Sequence, residues 1–133
     1  MRPARFQDFA LQLAQTDPNA GAAATLKDAG DKKHPYGLAV KLGGRDARFQ
    51  FIAYSVPGDN FDVPETVVEG DLVPLDERRA EGPEGWLMGL LADSGSREIA
   101  TIEQWSLRED PADRRNGLTV EFHDGSKIYA RAL

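Results

Sequence analysis

The sequence predicts an α+β domain in which an antiparallel sheet of about five strands, built from two hairpins, carries two helices packed on one face. Three observations lead there. Apolar and polar residues alternate over 37–56 and 117–131, and a glycine turn breaks each run near its centre. Apolar residues recur at helical spacing over 3–15 and 83–93. The chain has 133 residues and no cysteine, so a hydrophobic core must hold it without disulfides, and a chain of this length can bury one. Residues 1–133 are therefore read as a single domain.

The first helix begins at Pro3, which suits a first turn, and presents Phe6, Phe9, Ala10 and Leu13 on one stripe. In "TDPNAGAAATLKDAGDKK", Asp17-Pro18 can cap a second helix that Gly30 ends. Leu26 is its sole sizeable apolar residue, so a loop or an edge strand competes with that helix. "GLAVKLGGRDARFQFIAYSV" reads as a hairpin about Gly43-Gly44. A two-residue loop sets Lys41 opposite Asp46, whereas a four-residue loop sets it against Arg48, so the tighter turn is preferred. Beyond Phe51 the second strand is apolar on both sides, with Ile52, Ala53, Tyr54 and Val56. That pattern fits a strand covered on both faces, or a bulge.

Residues 57–85 are irregular, holding four of the eight prolines. A short edge strand near Thr66 to Val68 is expected within them. Pro83 and Glu84 then start a helix that Gly95 ends, with Trp86, Leu87, Leu90 and Leu91 as its stripe. Gly89 weakens that helix and is expected to allow close packing on the sheet. "SREIATIEQWSLRED" fits both periods, and its β-branched content favours a strand near 98–107 with a bulge. "DPADRRNG" is a loop with Asn116-Gly117 as its turn signal. In the last hairpin a loop of His123, Asp124 and Gly125 keeps Val120 opposite Ile128 and Leu118 opposite Ala130; a two-residue loop would turn Ile128 to the polar face. The inner face should carry Leu38, Val40, Leu42, Phe49, Phe51, Val120, Phe122 and Ile128.

The same register argument makes His123 and Asp124 turn residues rather than a catalytic pair. Other chemistry is sparse. The serines lie in no nucleophile elbow, and "LGGRD" lacks the spacing of a phosphate loop. Neither His34 nor His123 has a second histidine at ligand spacing, so no metal site is expected. "GDNFDVPE" offers oxygens at Asp59, Asn60, Asp62 and Glu65 without the alternation and glycine of a calcium loop. Trp86 and Trp105 are read as core anchors. With 22 acids, some carboxylate pair always exists, so pairing by itself says nothing of catalysis. No cofactor is expected, and the chain is read as a non-enzyme.

Charge is the most informative feature. The net charge is −6, and 57–85 holds nine acids against Arg78 and Arg79, or −7 in one stretch. Phosphate binding needs clustered Lys and Arg, so nucleic acid is not an expected partner. An acidic strip fits a basic protein. Asp59, Asp62, Glu65, Glu69 and Asp71 are the candidate interaction surface. No apolar run has signal-peptide or membrane-spanning length, so no membrane partner and a cytoplasmic location are expected.

The strings "HPYGLAVKLGGRDARFQFIA", "QWSLRED" and "GLTVEFHDGSKIYAR" resemble small uncharacterised accessory proteins of high-GC actinobacteria, of the kind carried by mobile elements. That resemblance spans about half the chain and carries no activity or site residue. The expectation is a non-catalytic protein-binding or regulatory accessory. Its rivals are an immunity or anti-restriction protein masking a basic partner, a structural subunit of a phage-like or secretion assembly, and, last, a small carboxylate-based enzyme.

Overall fold

The computed structural model of the chain describes residues 1–74, 78–108 and 115–133. Its elements run α1 (Pro3–Thr16), β1 (Ala20–Thr25), β2 (Gly37–Leu42), β3 (Arg45–Tyr54), α2 (Gly82–Ala92), β4 (Ile99–Gln104), β5 (Gly117–Phe122) and β6 (Lys127–Ala132). The six strands form one open antiparallel sheet in the order β1-β2-β3-β6-β5-β4.

Turn chemistry fixes the register. Gly43 and Gly44 have φ of 58° and 80°, the left-handed pair that a type I′ turn requires. Lys41 accordingly faces Asp46, and Leu38 faces Phe49. In the second hairpin Gly125 has φ of 90°, and the Phe122 N–H donates to the Ser126 carbonyl at 3.0 Å. Val120 therefore faces Ile128, and Glu121 faces Lys127.

Alternation then sends Leu38, Phe49, Phe51, Val120, Phe122 and Ile128 to one face, where they meet Phe6, Ala10 and Ala14 of α1 and Leu87, Met88 and Leu91 of α2. Val40 is also buried, while Leu42, at the turn, is half-buried. The Phe6 ring stands edge-on to Phe51 at 4.9 Å and to Phe122 at 6.0 Å, an arrangement favoured by ring quadrupoles. Trp86 stacks on Phe49 and donates its indole N–H to Asp17 at 2.7 Å, tying α2 to the end of α1.

Five expectations are corrected. The sheet has six strands, because residues 20–25 pair with β2 instead of forming a helix with 26–30. An Ala-rich stretch has no apolar stripe to bury as a helix, whereas an edge strand gains ladder hydrogen bonds. Residues 66–68 form no strand. The strand expected near 98–107 ends at Gln104, with an irregularity between Ile99 and Thr101, and becomes a 3₁₀ turn at Trp105–Leu107. The outer face of β3 is not covered: Ile52 is 42% and Tyr54 54% exposed. Finally, Gly89 makes no close approach, since a β-carbon there would have Arg79 as its nearest neighbour at 3.7 Å. The constrained helix glycine is Gly85, where a β-carbon would fall on the Ala80 carbonyl.

Polar clamps close the end of the molecule near α2. Gln104 accepts from the Ala80 N–H at 2.7 Å and donates to the Arg78 carbonyl at 3.0 Å. The buried Glu84 carboxylate accepts from the Gly117 N–H at 2.7 Å and from both the N–H and hydroxyl of Ser106. The loop expected over 110–117 lies mostly outside the described residues. Among those described, no helix is long and apolar enough to cross a membrane.

Candidate functional site

The acidic segment leaves β3 through a turn at Gly58, whose φ is 76°. It then runs beside the start of α1, held by two arginines that flank the helix's first turn. Arg2 donates to both oxygens of Asp59, at 2.9 and 3.3 Å, and to the carbonyls of Asn60 and Val63. Its guanidinium also lies 4.7 Å from the centre of the Phe61 ring. The Arg2 N–H, left over at a helix start, donates to Glu65 at 2.7 Å. Arg5 bridges Glu65 and Glu98, which joins the segment to the start of β4. Further along, the Gly70 N–H donates to the Arg97 carbonyl at 2.8 Å, and the His123 ring lies 2.9 Å from the Asp71 carbonyl. A β-carbon at Gly70 would stand 2.6 Å from that ring.

These contacts set the electrostatics. The Arg2 hydrogen bond holds the Asp59 carboxyl below its ordinary value. Burial alone would raise Glu65, but the bonds from Arg5 and the Arg2 backbone outweigh it, and the net direction is down. The Arg5 guanidinium is raised, first by Glu98 and despite partial burial. These are the signs of structural ion pairs.

The five candidate residues therefore divide. Asp59 and Glu65 are taken up by guanidiniums and anchor the segment, Asp59 from an exposed position and Glu65 from a half-buried one. Asp62, Glu69 and Asp71 are exposed. Asp76 and Glu77, part of the same acidic run, lie outside the described residues. Apolar side chains share the exposed surface: Phe61 is 55%, Val63 51%, Val67 52%, Val68 39% and Leu72 52% exposed. Charge counting alone missed them, although the sequence signal was there, because an irregular segment offers these residues no strand or helix stripe to bury.

Other candidate groups do not converge. His123 and Asp124 take different partners, since Asp124 accepts from the Met1 amine at 3.0 Å and from Ser126. Burial would raise Asp124, but these donors lower it. A cleft of about 380 Å³ lies beside them, lined by Met1, Arg2, Asp59, Glu65, Asp124 and Ser126 among others. His34 is held by Asp31 at 2.8 Å, and the Asp31 carboxyl is pushed down to about 2 by that contact and by two backbone N–H groups. Asp59 and Glu65 face arginines and do not converge with Asn60 and Asp62, and no cluster of three metal-ligating side chains occurs among the described residues.

A second surface lies on the uncovered face of the sheet. Arg48, Gln50 and Ile52 of β3 alternate with the core residues Phe49 and Phe51, Tyr54 follows on the same face, and Tyr129 and Arg131 of β6 face Ile52 and Gln50. Trp105 lies here rather than in the main core, as its indole N–H donates to Thr119, which alternates with the buried Val120. The guanidiniums of Arg108 and Arg115 lie 5.4 and 5.5 Å from its ring, and the ring is 6% exposed as a residue. A shallow hollow of about 390 Å³ is lined by Ile52, Trp105, Arg108, Arg115, Tyr129 and Arg131.

No protein-family model, no curated protein and no solved structure matches this chain.

Proposed function

We propose that this protein is a non-catalytic protein-binding or regulatory accessory that acts in the cytoplasm, and that its contact surface is the 57–74 segment. One observation carries the reading. Five large apolar side chains are 39–55% exposed on a single stretch that also exposes Asp62, Glu69 and Asp71. Apolar surface held open beside charge marks interaction sites on proteins that otherwise bury such groups. The segment is also pinned by Arg2, Arg5 and the Gly70–Arg97 hydrogen bond, so less ordering is needed when a partner arrives. The complementary partner is a protein with a basic, partly apolar face. Membrane and nucleic acid are not partners in this reading, and no cofactor takes part.

The test compares two baits in lysate of the native host, the wild type and a Phe61→Ser, Asp62→Asn, Val67→Ser, Glu69→Gln variant. A basic protein retained by the wild type, lost by the variant and released by moderate salt supports the reading. Equal retention by both baits refutes this surface.

A further inference from the structure

We infer that the partner of the 57–74 segment is a second copy of this chain, and that the segment docks on the uncovered, basic face of that copy's sheet. This rests on the binding role proposed above and adds the identity of the partner.

The argument is complementarity between two surfaces of one molecule. Between residues 57 and 74 the chain carries five acids and no lysine or arginine. The sheet face carries the opposite charge. Among the described residues its carboxylates Asp46, Glu103 and Glu121 each sit against a cation, namely Lys41, Arg108 and Lys127. Arg48 and Arg131, both exposed, add positive charge beyond those pairs. Both surfaces also expose apolar groups that a monomer leaves wet: Ile52 and Tyr54 on the sheet, Phe61, Val63, Val67 and Leu72 on the segment. A chain of net charge −6 that keeps a basic sheet face beside an acidic apolar strip holds both halves of one interface.

The two halves meet between copies because the segment is tethered. Asp59 and Glu65 are tied to Arg2 and Arg5 at the start of α1, which packs on the opposite side of the sheet. The contact is then between unlike surfaces, and such head-to-tail contacts close into rings or continue as filaments. Single-stranded nucleic acid is the other polymer that a basic, aromatic sheet face takes. It needs bare rings for stacking. Of the described rings on this face Trp105 is buried beside two guanidiniums, Tyr129 is half-buried and Tyr54 is the one largely exposed, too few for successive bases to stack.

The experiment is sedimentation velocity on the full chain across protein concentration, at low and moderate salt. The wild type should exceed monomer mass at low salt and return toward it as salt rises. Arg48→Glu with Arg131→Glu should weaken association on the order of a hundredfold through like-charge contact, and so should Asp62→Lys with Glu69→Lys. All four positions are exposed and lie outside the core, and circular dichroism checks that each variant is folded. Mixing the two variants should restore association, a rescue that nonspecific self-adhesion cannot produce. A wild type that stays monomeric at every concentration overturns the inference, as does association that neither pair weakens. If that monomer binds a labelled single-stranded oligonucleotide through Arg48 and Arg131, the face belongs to nucleic acid instead. If it still captures a different basic protein through the segment, the binding role survives and this choice of partner fails.

Discussion

Glu84 offers the sharpest test of how the fold is held. Its carboxylate is 2% exposed as a residue and receives the Gly117 N–H at 2.7 Å, together with the N–H and hydroxyl of Ser106. It thereby fixes the start of β5 and the 3₁₀ turn after β4 to the first turn of α2. In Glu84→Ala the Ser106 donors regain water, because Ser106 is exposed. The Gly117 N–H does not, because it is buried. A charge-assisted bond is worth about 1.5–3 kcal/mol and a stranded buried donor costs about 1–3 kcal/mol, so the loss should be roughly 3 kcal/mol. For a domain of this size that lowers the unfolding midpoint by about 10 °C. Glu84→Gln keeps the volume and one acceptor, and should cost about half as much. The assay is urea unfolding followed by tryptophan fluorescence, with a constant m-value as the check that the denatured state is unchanged. Glu121→Ala, whose partner Lys127 lies in solvent contact, serves as the control and should leave the midpoint unmoved. If Glu84→Ala costs less than about 1 kcal/mol, the carboxylate does not anchor these elements and the reasoning fails.

Further tests follow from the same contacts. Gly85→Ala should destabilise the fold strongly, because its β-carbon would fall on the Ala80 carbonyl. Gly89→Ala should instead raise the melting midpoint, because a β-carbon there meets Arg79 at an ordinary contact distance and alanine gains about 1 kcal/mol of helix propensity over glycine; equal effects at the two sites would contradict the packing described. Asp31 has its carboxyl depressed from 3.8 to about 2 by His34 and the backbone of Lys33 and His34. A depressed carboxyl stabilises the fold above its unfolded value, and this is lost as pH falls from near 3.8 through about 2. Carbon-detected NMR titration should show that midpoint, and one near 4 would remove the proposed contact. Arg5→Ala should speed hydrogen exchange and proteolysis across 57–74 while leaving exchange in β5 and β6 unchanged, since Arg5 binds the segment through Glu65 and the sheet is held by its own ladder.

How much of this was legible in the sequence depends on how local the cause is. Both hairpin registers follow from residues within a few positions of each turn: Gly43-Gly44 with the Lys41–Asp46 pair, and Gly125 with the Val120–Ile128 pair. The apolar stripes of the helices were legible in part: Phe6, Ala10, Leu87 and Leu91 are buried as read, whereas Phe9, Leu13, Trp86 and Leu90 are half-buried and Ala14 and Met88 take core positions. Residues 20–25 were legible only as a choice between helix, loop and edge strand, because an Ala-rich stretch has no period and becomes a strand only once the edge of β2 is beside it. Trp105 was read as a core anchor, but only the tertiary structure places it on the outer face against Thr119. For the candidate site, the sequence determined that acidic charge concentrates in one irregular segment. It did not determine that Asp59 and Glu65 would be taken by Arg2 and Arg5, more than fifty residues away in sequence. Nor did it determine that the outer face of β3 would stay open, because coverage depends on where helices pack rather than on any strand's own pattern. Local periodicity and turn stereochemistry are written residue by residue. Ion pairing across the chain and the exposure of a sheet face exist only after the elements have met.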